Sequence, residues 1–261
     1  MPDTRGAVRC AMRSLLALLL TTTQAIAGLT FQSSFAIEGP TGLAFDGRRC
    51  GLWVAHEETY LSFVDLAGDL QATYPVPMRV DDVAINGEQL LATDGAGSFI
   101  ALGRDGSVLS APFQLNPLVR DSDGLHIDQK AGLVWVADDN PSALVALRSD
   151  GTMLRRIEGM ALNPQMREPQ GIVTDLVSGS ILAADDSQGL NAIFEFTAQG
   201  ALIALYDISA IATDPEGLAL ADDSRTLYVA FDTGDMIAQF DYAASDGTGA
   251  PPPDEGTPAC N

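Results

Sequence analysis

The chain has very few basic residues. Its 261 residues include 14 Lys and Arg, of which Lys130 is the one lysine, against 35 Asp and Glu, so the formal net charge is −21 at pH 7. A surface of this charge repels nucleic acid and anionic lipid, and it concentrates cations. The composition therefore argues against a nucleic-acid-binding protein. A cationic ligand and simple solubility both account for the acidity.

Several catalytic motifs are also missing. The sequence has no Gly-rich phosphate loop, no nucleophile elbow, no His-x-x-x-His pair and no Cys-x-x-Cys motif. It has two histidines, and His126 lies between Leu125 and Ile127 in an apolar segment, which favours a structural role. His56 precedes an acidic segment and is a weak candidate for a general base or a metal ligand.

Residues 1–27 differ in character from the rest of the chain. Three arginines precede a six-residue apolar run at 15–20, and Ala25-Ile26-Ala27 then supplies small residues. This pattern predicts a secretory signal peptide that is cleaved after Ala27, and hence a periplasmic or secreted protein. The apolar run is too short to span ~30 Å of hydrocarbon, and no other segment is predicted to cross a membrane. Cleavage would leave 11 basic and 34 acidic residues, a formal net charge of −23.

The remainder of the chain contains a unit that returns five times. Each unit has a short first strand centred on Gly or Asp, a second apolar strand and a third. The central positions are Gly42, Asp82, Gly124, Gly171 and Gly217, at intervals of 40, 42, 47 and 46 residues. A period of ~40–50 residues with several strands in each unit is typical of a β-propeller. The sequence therefore predicts an all-β fold.

The fifth unit lacks the fourth strand that follows the third in the other units. Pro251-Pro252-Pro253 in the chain beyond it cannot join a sheet, whereas residues 29–35, before the first unit, form a strand with no blade of its own. We therefore predict a five-bladed propeller over residues 28–244, closed by the N-terminal strand, with an acidic Pro-rich tail at 245–261. A six-bladed ring with one degenerate blade is the alternative, and a monomer is expected.

Two cysteines remain after residue 27. Cys50 lies in the turn between the first and second strands of blade one, and Cys260 lies in the tail that leaves blade five, beside blade one. Both positions fall on the same side of the ring, so a Cys50–Cys260 disulfide across the seam is geometrically sensible. Two free or differently paired thiols are the alternative.

The residues immediately before the central positions form the first candidate site. All five carry side-chain oxygen atoms, and the predicted ring places them around one mouth of the central channel: Thr41, Asp81, Asp123, Gln170 and Glu216. Hard cations take six to eight oxygen ligands, so Asp81, Asp123, Gln170 and Glu216 are predicted ligands of a divalent cation, calcium. A role in forming turns is the alternative.

A second set of polar residues follows the second strands. It comprises Asp94, Asp138 and Asp185, and His56 takes the matching place in the first unit. The strand directions place this second ring on the same face as the first. For these aspartates we favour hydrogen bonds to their own backbone over a metal site.

The units resemble NHL-type and SMP-30-type propeller repeats. The resemblance is clearest where Asp123-Gly124-Leu125 leads to Val136-Ala137-Asp138, and at Glu216-Gly217 in the last unit. With the signal peptide and Thr41-Gly42-Leu43, the chain is similar to the SdiA-regulated (YjiK-like) family of exported propellers. This resemblance implies an extracytoplasmic propeller that binds calcium and has no established activity.

Two enzyme families share shorter pieces of the sequence. Glu38-Gly39-Pro40 resembles part of the calcium site of SMP-30-type lactonases, although their Pro-Asn-Gly is absent. Residues 185–189 and 214–218 are similar to propeller phytases. The sequence therefore favours a module that binds a small molecule or a protein through calcium at an acidic channel mouth. A calcium-dependent hydrolase of the lactonase or phytase type is the alternative.

Overall fold

A computed structural model describes residues 28–187, 189–245 and 260. These residues form nineteen β-strands in five antiparallel sheets and one short 3₁₀-helix, Gly159–Ala161. The predicted signal peptide and most of the predicted tail lie outside the described residues. Within the described part of the chain, no helix has the length and apolar character needed to cross a membrane.

Each sheet is one blade of a ring, and its strands follow one another from the centre outward. Blade 1 contains β2 (Leu43–Asp46), β3 (Gly51–Val54), β4 (Glu58–Asp65) and β5 (Leu70–Val80), and blade 2 contains β6 (Asp82–Asn86), β7 (Gln89–Thr93) and β8 (Phe99–Gly103). Blade 3 contains β9 (Ser122–Asp128), β10 (Leu133–Asp138), β11 (Ala143–Arg148) and β12 (Met153–Glu158). Blade 4 contains β13 (Pro169–Thr174), β14 (Ile181–Asp185), β15 (Ala192–Phe196) and β16 (Leu202–Asp207). Blade 5 contains β17 (Pro215–Leu220), β18 (Thr226–Phe231), β19 (Met236–Ala243) and, outermost, β1 (Gly28–Ala36).

The N-terminal strand closes the ring. β1 pairs antiparallel with β19, in a register that runs from Gly28 opposite Ala243 to Ala36 opposite Met236. The five-bladed propeller predicted from the repeat is therefore confirmed, and the described residues contain no sixth sheet.

Blade 2 is the one incomplete blade among the described sheets. Its expected fourth strand near Val108 is reduced to two isolated bridges, Leu102 with Val108 and Phe99 with Phe113. Pro112 and Pro117 interrupt this segment, and proline has no N–H to donate to a ladder. The segment therefore follows the edge of β8 without forming a regular strand.

The core is divided into five clusters, one at each blade interface. Trp53, Leu61 and Ile100 belong to the cluster between blades 1 and 2, for example, and Leu52 and Tyr228 belong to the cluster between blades 1 and 5. Every blade thus buries both of its faces, which explains the nearly continuous apolar runs in the middle strands. Because each blade is stabilised by its two neighbours, closure of the ring stabilises all five.

The inner strands approach one another very closely at the glycines of the repeat. A Cβ atom added to Gly124 would lie 1.9 Å from the carbonyl oxygen of Gln170, and one on Gly171 would lie 2.4 Å from that of Glu216. At Gly217 the nearest backbone atom would be 2.7 Å away. Backbone atoms cannot move aside as a side chain can, so these positions admit no side chain. Glycine is required here by the contact between blades.

Asp82 occupies the same position in blade 2. Its buried carboxylate accepts hydrogen bonds from the amides of Val83, at 2.7 Å, and of Leu125 in blade 3, at 2.6 Å. A Cβ on Gly42 would lie 2.3 Å from the Asp82 Oδ1, so the glycine of blade 1 makes room for this carboxylate. Burial raises the pKa of Asp82 well above its ordinary value, and the backbone amides oppose that shift.

A disulfide joins blade 1 to the C-terminal part of the chain. Cys50, in the turn between β2 and β3, is bonded to Cys260, and their Cα atoms are 5.2 Å apart. The bond links residues 210 positions apart in sequence. In the unfolded state it therefore closes a loop that contains most of the propeller sequence.

The contact between inner strands leads to the first prediction. Replacing Gly124 by Ala should lower the free energy of unfolding by about 2–3 kcal/mol, because the new methyl group meets backbone. Gly28→Ala is the matched control, since nothing lies within 4 Å of a Cβ at that position. Urea denaturation followed by tryptophan fluorescence measures both variants. Equal stabilities for the two would contradict the role of the close approach.

The disulfide leads to the second prediction. Replacing both Cys50 and Cys260 by Ser should lower the free energy of unfolding by about 2–5 kcal/mol, because the closed loop is long and its unfolded chain regains entropy. The measurement is denaturant unfolding of the variant beside the oxidised protein, with thiol titration as a check. A variant as stable as the parent would show that the bond contributes nothing.

Candidate cation-binding site

Most of the carboxylates whose pKa is raised lie on one face of the ring. The loops that lead into the inner strands and the loops that follow the second strands both open there, and we call it the acidic face. It carries Glu57, Asp81, Asp121, Asp123, Asp139, Asp186, Asp214 and Glu216. The ring of glycines and Asp82 lies directly beneath these residues, at the start of the inner strands.

A first group of three carboxylates lies within blade 3. Oxygen atoms of Asp121, Asp123 and Asp139 lie within 4.8 Å of one another, and we call this group the blade-3 triad. Burial, together with the neighbouring carboxylates Asp81 and Asp121, raises the pKa of Asp123 to about 8. Burial and the charge of Asp121 raise the pKa of Asp139 to about 6. Full ionisation of the triad is therefore costly at neutral pH.

The blade-3 triad is held in place by a residue next to it in the sequence. Asp138 is fully buried, and its carboxylate accepts hydrogen bonds from the amides of Arg120, at 3.3 Å, and Asp121, at 3.1 Å. Arg156 lies 3.2 Å from the same side chain. Successive side chains at the end of a strand point to opposite sides, so Asp138 binds the incoming loop while Asp139 is directed to the triad.

A second group lies where blades 4 and 5 meet. Asp186, Asp214 and Glu216 also bring oxygen atoms within 4.8 Å of one another, and we call them the blade-4/5 triad. Burial, with the charges of Asp186 and Asp81, raises the pKa of Glu216 to about 10. Burial and nearby carboxylates raise the pKa of Asp186 to about 7, which the Gln170 side chain partly opposes.

The blade-4/5 triad is also held by specific contacts. Asp214 has a positive φ of 65°, which is uncommon outside glycine; its amide donates to the Asn191 side chain at 2.8 Å, and its carboxylate accepts from the Thr233 hydroxyl. Asp185 accepts a hydrogen bond from the amide of Arg167, at 2.5 Å, in the loop that leads into β13. Asp138 makes the equivalent contact with the loop that leads into β9. One oxygen of Asp186, Oδ1, is enclosed and has no hydrogen-bond partner among the described residues.

A third group of carboxylates differs from the triads because it contains a cation. The Arg79 guanidinium lies 2.5 Å from Glu57 and 3.6 Å from Asp81. Burial and the charge of Glu57 raise the pKa of Asp81 to about 7, and Arg79 opposes this shift. Asp81 also lies near the blade-3 triad, since a Cβ on Gly95 would be 3.2 Å from its Oδ1 and 3.4 Å from that of Asp123.

The four predicted ligands of the first ring are thus distributed over three groups. Asp123 belongs to the blade-3 triad, Glu216 belongs to the blade-4/5 triad with Gln170 beside it, and Asp81 is paired with Arg79. Thr41 donates its hydroxyl to the carbonyl of Asp81 at 2.8 Å, a contact between blades 1 and 2. The structure brings these residues to one face, as two carboxylate triads and an ion-paired group.

The predicted second ring serves the backbone. Asp94 accepts the amides of Ala96, at 2.9 Å, and Ser98, at 2.8 Å, within its own turn. Asp138 and Asp185 bind incoming loops as described above. Asp94 thus has the turn-forming role that the sequence favoured for the second ring, whereas Asp138 and Asp185 bond backbone amides of loops distant in sequence.

His56 lies apart from both triads. Its Nδ1 is 2.9 Å from the carbonyl oxygen of Glu38, and its ring packs on Tyr60 with the centroids 5.2 Å apart. Burial lowers the pKa of His56 and so favours its neutral form. Its Nε2 is enclosed and unpartnered within the described part of the chain. The structure gives no geometry in which His56 and a triad act together.

Four triad members were not identified from the sequence: Asp121, Asp139, Asp186 and Asp214. Two signals could have identified them. One is the Asp that precedes the ring acid by two positions, in Asp121-Ser122-Asp123 and Asp214-Pro215-Glu216. The other is the doubled Asp that ends the second strand in blades 3 and 4.

Comparison with solved structures supports the fold. The chain is similar to a Myxococcus xanthus glutaminyl cyclase, with a TM-score of 0.65 and 14% identity over 82% of this chain and 97% of that one. It is also similar to a chain of a nidogen–laminin complex, with a TM-score of 0.55 and 15% identity over 78% of this chain and 76% of that one. No protein-family model matches the sequence, and no curated protein sequence matches it. At these identities the likeness establishes the propeller fold alone.

The raised pKa values lead to the third prediction. The folded protein keeps protons on Asp81 and Asp123 that the unfolded chain loses near pH 4, so stability should fall as pH rises from about 4 to about 8 in the presence of a chelator. Thermal melting across this range gives the profile. Asp123→Asn should flatten it, whereas Asp241→Asn, an exposed acid far from the face, should leave it unchanged. A stability that rises over this range would contradict the prediction.

Proposed function

We propose that this protein is an exported propeller that binds divalent cations, calcium in particular, at the two triads of the acidic face. A bound cation would then take part in holding a small molecule or a partner protein there. The observation that carries this proposal is the contrast among the three acidic groups. Arg79 offsets part of the negative charge of the group at Glu57 and Asp81, whereas each triad lacks a basic partner among the described residues.

Buried carboxylates elsewhere in the molecule provide the comparison. Glu195 accepts hydrogen bonds from Tyr206, at 2.6 Å, from Tyr242, at 2.9 Å, and from the amide of Ser245, at 3.0 Å. Asp82, Asp138 and Asp185 likewise accept backbone amides. In contrast, no described donor bonds the side chains of Asp123 or Glu216. Their oxygen atoms are therefore available as ligands for a cation.

Calcium is the cation that best suits these groups. Carboxylate oxygens are hard ligands, and Ca²⁺ accepts six to eight of them in flexible geometry, whereas Mg²⁺ requires near-ideal octahedral geometry. Three carboxylates together with water molecules can supply the coordination that Ca²⁺ accepts. The described residues place no histidine or cysteine in either triad, which argues against a site built for zinc.

We further propose that the protein belongs to the SdiA-regulated (YjiK-like) family and is exported after cleavage at Ala27. The five-bladed ring with its repeat glycines is compatible with that family. The disulfide between Cys50 and Cys260 suits an oxidising compartment.

A calcium-dependent hydrolase of the lactonase or phytase type is the second candidate. One observation favours it: Asp186, Asp214 and Glu216, which lie in the two segments similar to propeller phytases, meet in one triad. A binding role remains the main proposal, since the basic groups that a polyanionic substrate needs are scarce in this chain.

Calcium binding leads to the fourth prediction. Millimolar calcium at pH 7.5 should raise the melting temperature by about 5 °C or more, because it binds the folded state and not the unfolded chain. Asp123→Asn and Glu216→Gln should each remove part of the increase, and the double variant should remove all of it. Asp241→Asn is the matched control and should keep the full increase.

The result that overturns the metal proposal is an unchanged melting temperature in calcium. With calcium bound, a panel of lactones and phosphate esters separates the two candidates. Turnover that is lost in Glu216→Gln would favour the hydrolase, and no turnover on any substrate would favour the binding module.

A further inference from the structure

A second open space lies on the other side of the ring of glycines. It is a cavity of about 580 Å³ in the central channel, and residues from all five inner strands line it. Small-molecule sites in proteins typically have volumes of about 300–1,000 Å³. The carboxylates of the two triads are not among its lining residues.

The side chains along the middle of this channel are apolar except at one place. Two positions after each repeat glycine stand Ala44, Ala84, His126, Val173 and Ala219, and three positions after it stand Phe45, Ile85, Ile127, Thr174 and Leu220. His126 and Thr174 are thus the polar members of two otherwise apolar rings. They are bonded to each other across the interface of blades 3 and 4, with His126 Nε2 2.9 Å from the Thr174 hydroxyl.

The second nitrogen of His126 is free to bind something else. Within the described residues, Nδ1 makes no hydrogen bond, and it is not among the enclosed unpartnered atoms, so it is open to the channel. Burial lowers the pKa of His126 to about 4, which keeps the ring neutral at pH 7. A neutral ring fixed through Nε2 presents one hydrogen-bonding group to whatever occupies the channel.

The outer rim of the channel carries basic side chains. Arg48, Arg104 and Lys130 lie there with a single lining carboxylate, Asp222, in a chain that has 14 basic residues against 35 acidic ones. Arg104 is held by buried Asp46 at 2.6 Å. Lys130 donates to a neutral group, the carbonyl of Leu176, at 2.9 Å.

Arg48 is the most adaptable of these cations. It pairs with Glu88, but both side chains are largely exposed, at 62% and 77%. Exposed pairs of this kind contribute little and exchange readily. Arg48 and Lys130 can therefore turn to an anion at the rim without breaking a buried ion pair.

We propose that the channel is a second ligand site, separate from the acidic face, and that it binds a small organic anion with an apolar body. The anionic group lies at the rim between Arg48 and Lys130, and the apolar body extends along the inner strands toward His126. Three residues separate His126 from Lys130, which lies in the turn just beyond β9, so the chain between them spans at most about 13 Å. Inward-facing strand edges, which pair on one side only, supply further backbone groups to a ligand.

The two histidines make the test specific. His56 lies near the acidic face and His126 lies in the channel, so the imidazole signals of ¹⁵N-histidine-labelled, untagged protein report the two places separately, and His56→Asn assigns them. Titration with octanoate at pH 7 should shift the His126 signals and leave those of His56 unchanged. Octanamide and inorganic phosphate should bind at least about tenfold more weakly than octanoate. Octanamide lacks the anionic group, and phosphate lacks the apolar body.

Charge variants complete the experiment. Lys130→Gln and Arg48→Gln should each weaken octanoate binding about fivefold, whereas Arg167→Gln, which removes one charge on the opposite face, should not change it. Unshifted His126 signals in millimolar octanoate would overturn the site. A shift confined to His56, equal binding of octanamide, or an equal loss in Arg167→Gln would overturn the assignment. Because the experiment contains no calcium, its result is independent of the proposal for the triads.

Discussion

The close approach of the inner strands at the repeat glycines is the contact on which the rest of the structure depends. At Gly124, Gly171 and Gly217 the backbone of one blade occupies the space in which a side chain of the next would begin. The ring can therefore be narrow enough for five blades to bury both faces and form five separate core clusters. Asp82 is subject to the same constraint, although it is not a glycine. Its carboxylate fills the space beside Gly42 and accepts a hydrogen bond from the backbone of blade 3. The spacing of the repeat follows from this contact, because each unit must return its glycine to the axis.

The same contact divides the channel into two environments. Above the glycines the loops carry carboxylates that burial and mutual repulsion make basic; below them the strands present apolar side chains, one His–Thr pair and a rim with Arg48 and Lys130. An anion near the triads would be repelled, and a bare cation near the rim would meet competing positive charge. A single narrow ring thus gives one small protein two channel mouths whose side chains differ in the sign of their charge.

The sequence predicted the parts of the structure that follow from periodicity. Five units, a fifth unit without an outer strand and a spare N-terminal strand were sufficient to predict the closed ring, and the pairing of β1 with β19 confirms it. It could not predict how carboxylates from different loops are grouped. Asp138 and Asp139 are adjacent, yet one binds a backbone loop and the other joins a triad, because successive side chains at the strand end point to opposite sides. Arg79 lies between Glu57 and Asp81, so the two triads are left without a basic partner and the carboxylates do not form one continuous ring. This placement depends on a loop conformation that no repeat specifies.

The acidic face illustrates how a rigid frame maintains an unfavourable arrangement of charge. Free carboxylates would turn away from one another, but Asp138 fixes the loop of Asp121, and Asn191 and Thr233 fix Asp214. The free energy that keeps the carboxylates together comes from the five core clusters and the disulfide. These lie away from the triads and do not weaken when the triads ionise. Because the carboxylates cannot move apart, they keep protons to a higher pH than free acids do, which is what their raised pKa values express. A cation that entered a triad would replace those protons, so its binding would strengthen as the pH rises, and the ligands would need no rearrangement to receive it.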